Sequence, residues 1–330
     1  LGQLATVSGA GVNELRFDGR VAVVTGAGGG LGRQYALLLA ARGAHVVVND
    51  TGGSVTGHGS PTDTAQQTAD DISIAGGSAI ASTHSVTTVE GGRAIVDAAL
   101  ERWGRLDIVV NNAGIVDDAP FDQMTDHRLQ PLLDVHLRGA FNVTRPAWTV
   151  MRDNGFGRIV NTCSAAGLLG SVHMSNYATA KGGILGLTRV LAAEGADLDI
   201  KVNAIAPIAA TRMLDYSLRS VDALNDPASA AAAQEMMRPF LDRLDPALVA
   251  PVVAFLAHPD CPVSGEVYTA GAGQVARYFV GRTRGYHNPG LSVEDVAANI
   301  DRIRDVSHHT VPEGPGDEMA ELYGALFGAN

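Results

Sequence analysis

Short apolar runs alternate along the chain with longer stretches whose apolar positions recur every three or four residues. The runs RVAVVTGAG (20–28), AHVVVND (44–50), GSAIAST (77–83), LDIVVNNAG (106–114), GRIVNTCSA (157–165), IKVNAIAP (200–207) and GEVYTAG (265–271) read as strands. Residues 32–42, 62–74, 89–103, 126–152, 175–194 and 246–257 carry the helical period, with 126–152 as one long helix. Strands separated by helices of ten or more residues call for parallel βαβ crossovers, hence an α/β fold with a doubly wound parallel sheet. Continuous Val, Ile and Ala runs suit strands covered on both faces. Two segments break the rhythm. TGGSVTGHGSP (51–61) is glycine-rich and reads as a mobile loop. Residues 212–240 turn from polar to alanine-rich after the sixth strand, where a lid over a substrate could lie.

Composition narrows the picture a little. Apolar residues make up 46% of the 330 positions and charged ones 18%, ordinary for a compact protein with ample core. The formal charge of −11 argues against nucleic acid or an anionic membrane as the main partner. No apolar run reaches the ~18 residues of a membrane span. The start has no basic stretch followed by an apolar one, so no secretory signal is expected. The two cysteines, Cys163 and Cys261, lack metal-ligand spacing, so no metal is expected, and a reducing, cytoplasmic setting is.

Candidate chemistry begins at TGAGGGLG (25–32), between a strand and a helix. In that context Gly26 permits a tight turn, while Gly30, Leu31 and Gly32 bring backbone and helix N-terminus to a pyrophosphate. Asp50 ends the second strand, where an acid accepts a ribose 2′-hydroxyl and repels a 2′-phosphate. The turn has no Arg at Gly28 or Gly29 to offset that repulsion, so NAD is expected over NADP. Small residues in Asn112, Ala113 and Gly114 would let a cofactor lie against the fourth strand.

The stretch SNYATAK (175–181) holds Tyr177 and Lys181 one helical turn apart. Of 24 basic side chains only two are lysines, Lys181 and Lys201, so Lys181 marks a place where the broad guanidinium fork would not serve. A phenol with a pKa of ~10 is a poor base at neutral pH, and a nearby ammonium should lower it, as should a positively charged nicotinamide ring. Ser164, thirteen residues before Tyr177, is the candidate donor to a substrate oxygen.

Together TGxxxGxG, Asp50, NNAG, Ser164 and YxxxK resemble the short-chain dehydrogenase/reductase family across roughly residues 17–280. The resemblance implies a Rossmann-type fold and hydride transfer between a nicotinamide and a carbonyl or secondary alcohol. It places Ser85 and Val86 near the adenine, and Pro207, Ile208 and Thr211 near the carboxamide. It also implies a homodimer or homotetramer through helices 126–152 and 175–194. Several residues depart from the family pattern. His136 stands where most members have an Asn that supports a relay water, and is either a relay or a packed histidine. Ser85 replaces an Asp and Ile208 a Gly, and AGAG (270–273) lacks the usual Asp. Within the family, GRVAVVTGAGGGLGR, VVVNDTGG and His136 are most similar to the (3R)-hydroxyacyl-CoA dehydrogenase part of peroxisomal multifunctional enzyme type 2 and its bacterial relatives. That points to a 3-hydroxyacyl-CoA substrate, with Arg212, Arg277, Arg282 and Arg284 as candidates for CoA phosphates. A hydroxysteroid or simple secondary alcohol is the alternative, and a non-catalytic NAD-binding regulator the alternative of another class. The expected organisation is an arm at 1–16, the NAD-binding catalytic domain at 17–280 with its lid at 212–240, and a C-terminal extension at 281–330.

Overall fold

The computed structural model describes residues 14–57, 62–222 and 235–327. Residues 1–13, part of the glycine-rich loop (58–61) and the middle of the expected lid (223–234) lie outside the described residues. The chain divides into two compact units, 1–277 and 278–330.

The first unit is built on strands β1 (Val21–Thr25), β2 (His45–Asn49), β3 (Ser78–Ser82), β4 (Ile108–Asn111), β5 (Gly157–Thr162), β6 (Ile200–Pro207), β7 (Val267–Gly271) and β8 (Gln274–Tyr278), in the order 3-2-1-4-5-6-7-8. Pairings from β3 through β7 are parallel. Helices α1 (Gly30–Ala41), α2 (Thr64–Ile74) and α3 (Val89–Trp103) supply the first crossovers. In β1, Ala22 and Val24 enter one core cluster with α1 and α2, while Val21 and Val23 enter another with α3. That alternation is what a strand covered on both faces requires. The strand order reverses between β1 and β4, so their C-terminal ends open a crevice where ligands bind in such sheets.

Three features depart from the sequence reading. The expected long helix is α4 (Asp126–Leu132), a π-helical turn at Leu133–Arg138, and α5 (Gly139–Asn154). The Gly139 amide reaches back five residues to Asp134 O, which marks the wide turn. Strand β8 was not anticipated; a two-residue turn at Ala272 (φ 49°) and Gly273 (φ 80°) folds it back beside β7. Residues 14–16, expected in the arm, are tied down: Leu15 O accepts from Arg42 (3.2 Å), and Arg16 O lies 3.1 Å from His258 Nε2.

The second unit carries a small antiparallel pair, β9 (Arg282–Thr283) with β10 (His309–Thr310), short helical turns at Val293–Ala298 and Ile300–Arg304, and a helix at Pro315–Phe327. Arg282 pairs there with Glu318 and Glu321, and none of its described residues is buried.

Candidate active site

The crevice is a cleft of about 1070 Å³ in the first unit. Of the sequence-predicted site residues, Gly26, Gly30, Leu31, Asp50, Ser85, Val86, Asn112, Ala113, Gly114, His136, Ser164, Tyr177, Lys181, Pro207, Ile208 and Thr211 line it. Gly32 does not.

At one end lies the glycine turn. Gly26 (φ 64°) and Gly30 (φ 51°) take backbone conformations that disfavour a side chain. A Cβ on Gly26 would stand 2.8 Å from Ala113 Cα, and one on Gly32 would collide with Gly26 O. Gly32 therefore packs helix against strand, and it is the one expected cofactor residue that does not line the cleft. By contrast, a Cβ at Gly29 or Gly30 would meet nothing nearer than 3.4 Å. Helix α1 starts there with no side-chain cap and no acid in its first turn, so its free amides and dipole favour an anion. The turn is clamped from β4. Thr25 Oγ1 accepts from the amides of Asn112 and Ala113, each at 3.0 Å, and Asn112 Nδ2 donates to Thr25 O and Gly26 O. The Asp50 carboxylate accepts from Gly28 N (2.9 Å) and Gly52 N (2.7 Å), holding an acid beside the turn. Open backbone, an uncapped helix end and a neighbouring carboxylate fit a dinucleotide.

The reactive end is assembled by α6 (Ala165–Leu169) and α7 (Ser175–Glu194) after β5. Ser164 caps α6, accepting from Ala166 N at 3.2 Å, and its hydroxyl lies close enough to Tyr177 to favour the phenolate. A Cβ on Gly167 would sit 2.8 Å from Lys181 Cβ, so this glycine lets the two helices close up. Lys181 Nζ donates to Thr162 O at 2.6 Å and lies 5.6 Å from the Tyr177 ring centroid. Burial pushes Tyr177 up to about 12 and Lys181 down to about 8. The expectation is that Lys181 and a positively charged nicotinamide together acidify the phenol; with Lys181 alone beside it, losing water costs the phenolate more than its surroundings return, Ser164 being the group that favours ionisation.

His136 sits on the π turn, buried, its ring edge-on to Tyr177 at 5.1 Å between centroids. Nε2 lies 2.8 Å from Ile115 O and 3.1 Å from the Ile115 amide, so it donates to the carbonyl in one tautomer and accepts from the amide in the other. Burial, with Lys181 nearby, holds the ring's pKa well below the usual histidine range, so it is neutral. Nδ1 has no partner among the described residues, and neither does Thr162 Oγ1. Both residues, with Asn111 and Lys181, border a second space of about 10 Å³, roughly that of one water. A Cβ on Gly114 would stand 2.5 Å from His136 Cε1, so this glycine makes room for the imidazole as well as lining the cleft.

Sequence reasoning missed several positioning residues. Asn176, fully buried, donates to Asp117 O (2.9 Å) and Arg128 O (3.0 Å) and accepts from Tyr177 N (2.7 Å), fixing the start of α7. Asn111 donates to Thr144 Oγ1 and Asn161 Oδ1, and Asn161 to Thr188 Oγ1, a buried polar chain across β4, β5 and two helices. Asparagine in an otherwise apolar strand run was its signal. Of the arginines considered for CoA, Arg277 is paired with Glu266 and Arg282 within the second unit, whereas Arg212 lines the cleft beside the glycine turn.

The family model described as short chain dehydrogenase matches residues 20–220. Peroxisomal multifunctional enzyme type 2 of Mus musculus is 41% identical over 91% of this chain and 38% of its own length. A hydroxyacyl-CoA dehydrogenase of Mycobacterium tuberculosis is 38% identical over 80% of each chain. The crystal structure of a short chain dehydrogenase from Mycobacterium avium superposes with a TM-score of 0.71 at 33% identity, covering 89% of this chain and 97% of that one. The chain spans less than two thirds of the length of the peroxisomal multifunctional enzymes it matches. No helix among the described residues is long and apolar enough to cross a membrane.

Proposed function

The chain belongs to the short-chain dehydrogenase family of oxidoreductases, generally NAD(P)-dependent, and we propose that it interconverts a 3-hydroxyacyl-CoA and its ketone using NAD. The carrying observation is Ser164, Tyr177 and Lys181 meeting in the same cleft as the glycine turn. The bound dinucleotide supplies a hydride acceptor in oxidation and a donor in reduction. In reduction the protonated phenol of Tyr177 gives its proton to the substrate oxygen, the role its raised pKa suits. In oxidation it takes the alcohol proton, and the ionised form needs added positive charge beside it. Ser164 donates to the oxygen as charge develops. Lys181, at about 8, is largely charged at neutral pH and holds its end of the site through Thr162 O. Neutral His136 keeps Nδ1 without a protein partner among the described residues, beside the small space it shares with Thr162 and Lys181, where a water would give Tyr177 a route to reprotonation.

NAD rather than NADP rests on Asp50, whose charge opposes a 2′-phosphate. The thioester substrate is supported by the name of the mycobacterial relative, and the cytoplasmic setting by two unpaired, buried cysteines. A homodimer or homotetramer through α4, α5 and α7 remains part of the proposal, as does a boundary near residue 280 for the C-terminal extension. Oxidation of 3-hydroxyacyl-CoA, steroid and simple secondary alcohols, followed by NADH absorbance, tests the reading. Turnover of the thioester well above the matching free alcohol is expected. Equal rates with both would refute the CoA assignment, and NADH binding with no turnover of any alcohol would refute the enzyme.

A further inference from the structure

Helix α8 (Arg212–Asp222) lies along the cleft and touches both of its ends. On the reactive side, Met213 and Tyr216 pack against the cluster of Ile115, Val116, Leu132 and Tyr177. The Ser217 hydroxyl lies close enough to Asp118, another cleft residue, to favour its carboxylate. On the other side the helix starts over the glycine turn. A Cβ on Gly30 would stand 3.7 Å from Thr211 Cγ2, and one on Gly29 would stand 3.4 Å from Arg212 Nη2. The guanidinium therefore hangs above the two glycines whose backbone faces open cleft.

The charge around it is uneven. Asp50, Asp118 and Asp134 line the cleft, and its lysine and arginine side chains are Arg128, Lys181 and Arg212. Arg128 is held by Asp117 at 2.6 Å, and Lys181 is buried at the far end on Thr162 O. Arg212 makes no ion pair among the described residues, in a chain whose net charge is −11. A doubly charged diphosphate bridge at the start of α1 would meet backbone amides below and this one guanidinium above. Arginine's planar fork suits two phosphate oxygens at once.

We propose that Arg212, at the start of α8, grips the pyrophosphate of the dinucleotide rather than the phosphates of CoA. This rests on the dinucleotide reading of the cleft. The test is equilibrium binding, with NADH followed by its fluorescence and ADP-ribose by displacement of NADH. Arg212→Gln should weaken both ligands alike, about 10- to 100-fold, the range for losing a charge-assisted hydrogen bond. Arg212→Lys, which keeps the charge and loses the fork, should fall between. Added salt should weaken NADH binding less in Arg212→Gln than in the unmodified chain. Unchanged NADH affinity with a raised KM for the thioester would overturn the proposal and give Arg212 to CoA. Equal losses in both variants, with a lowered melting temperature in each, would make the residue merely structural and overturn it too. Failure of the unmodified chain to bind NADH or NADPH would instead strike the dinucleotide reading itself.

Discussion

Tyr177 and Lys181 have opposite burdens from one cause. Burial raises the phenol to about 12 and lowers the ammonium to about 8, because each neutral form survives desolvation better than its ion. Tyr177→Phe should lose about 10³-fold or more in turnover while NADH binding, read by fluorescence, stays intact. Alcohol oxidation should climb with pH above neutrality, since it needs the ionised phenol, while ketone reduction should not; pH profiles in both directions check this. For stability, Lys181 in the folded chain gives up its proton near 8, below its ordinary 10.5. Between those values the unfolded chain binds the extra proton, so folding gains as pH rises through that window. Denaturant titrations across it should show the gain, and Lys181→Met should abolish that part of the pH dependence. The pairing of Tyr177 with Lys181 was legible because positions one helical turn apart share a face, whereas Ser164, which caps α6, was legible only through the family motif. The ionisation of Tyr177 and Lys181 was not legible, because desolvation comes from residues distant in sequence. Asn176 was hidden for a related reason: its partners are carbonyls of Asp117 and Arg128, and carbonyls leave no mark in a sequence.

At the scale of elements, strands and crossover helices were readable from period, and the exceptions are local backbone events. A π turn changes no residue type, so the segment around His136 still reads as an unbroken helix. Gly114 and His136 form a matched pair across it. Gly114→Ala should cost about 1–3 kcal/mol by overpacking against the imidazole, and adding His136→Asn should recover much of that in thermal melts. The β7–β8 hairpin was missed because its turn begins with alanine, a residue that rarely takes positive φ. Ala272→Asn, giving Asn-Gly at a turn that wants both residues left-handed, should stabilise by about 1 kcal/mol and raise the melting temperature by about 2 °C.

At the scale of the molecule, apolar burial among the described residues is confined to the first unit, where the sheet is sandwiched between two clusters. Residues 278–327 contribute no buried side chain, so a chain ending after Tyr278 should keep a cooperative melt, checked by calorimetry. Loss of that transition would contradict the division at Arg277. The order 3-2-1-4-5 also has a consequence during synthesis. Strand β4 acquires its outer neighbour only when β5 has left the ribosome, after α4, the π turn and α5 have all been made. At about 5–20 residues per second the Ile-Val-Val edge of the nascent chain stays unpaired for a few seconds. During that interval a chaperone, or another unfinished copy, would find it the most adhesive surface on offer.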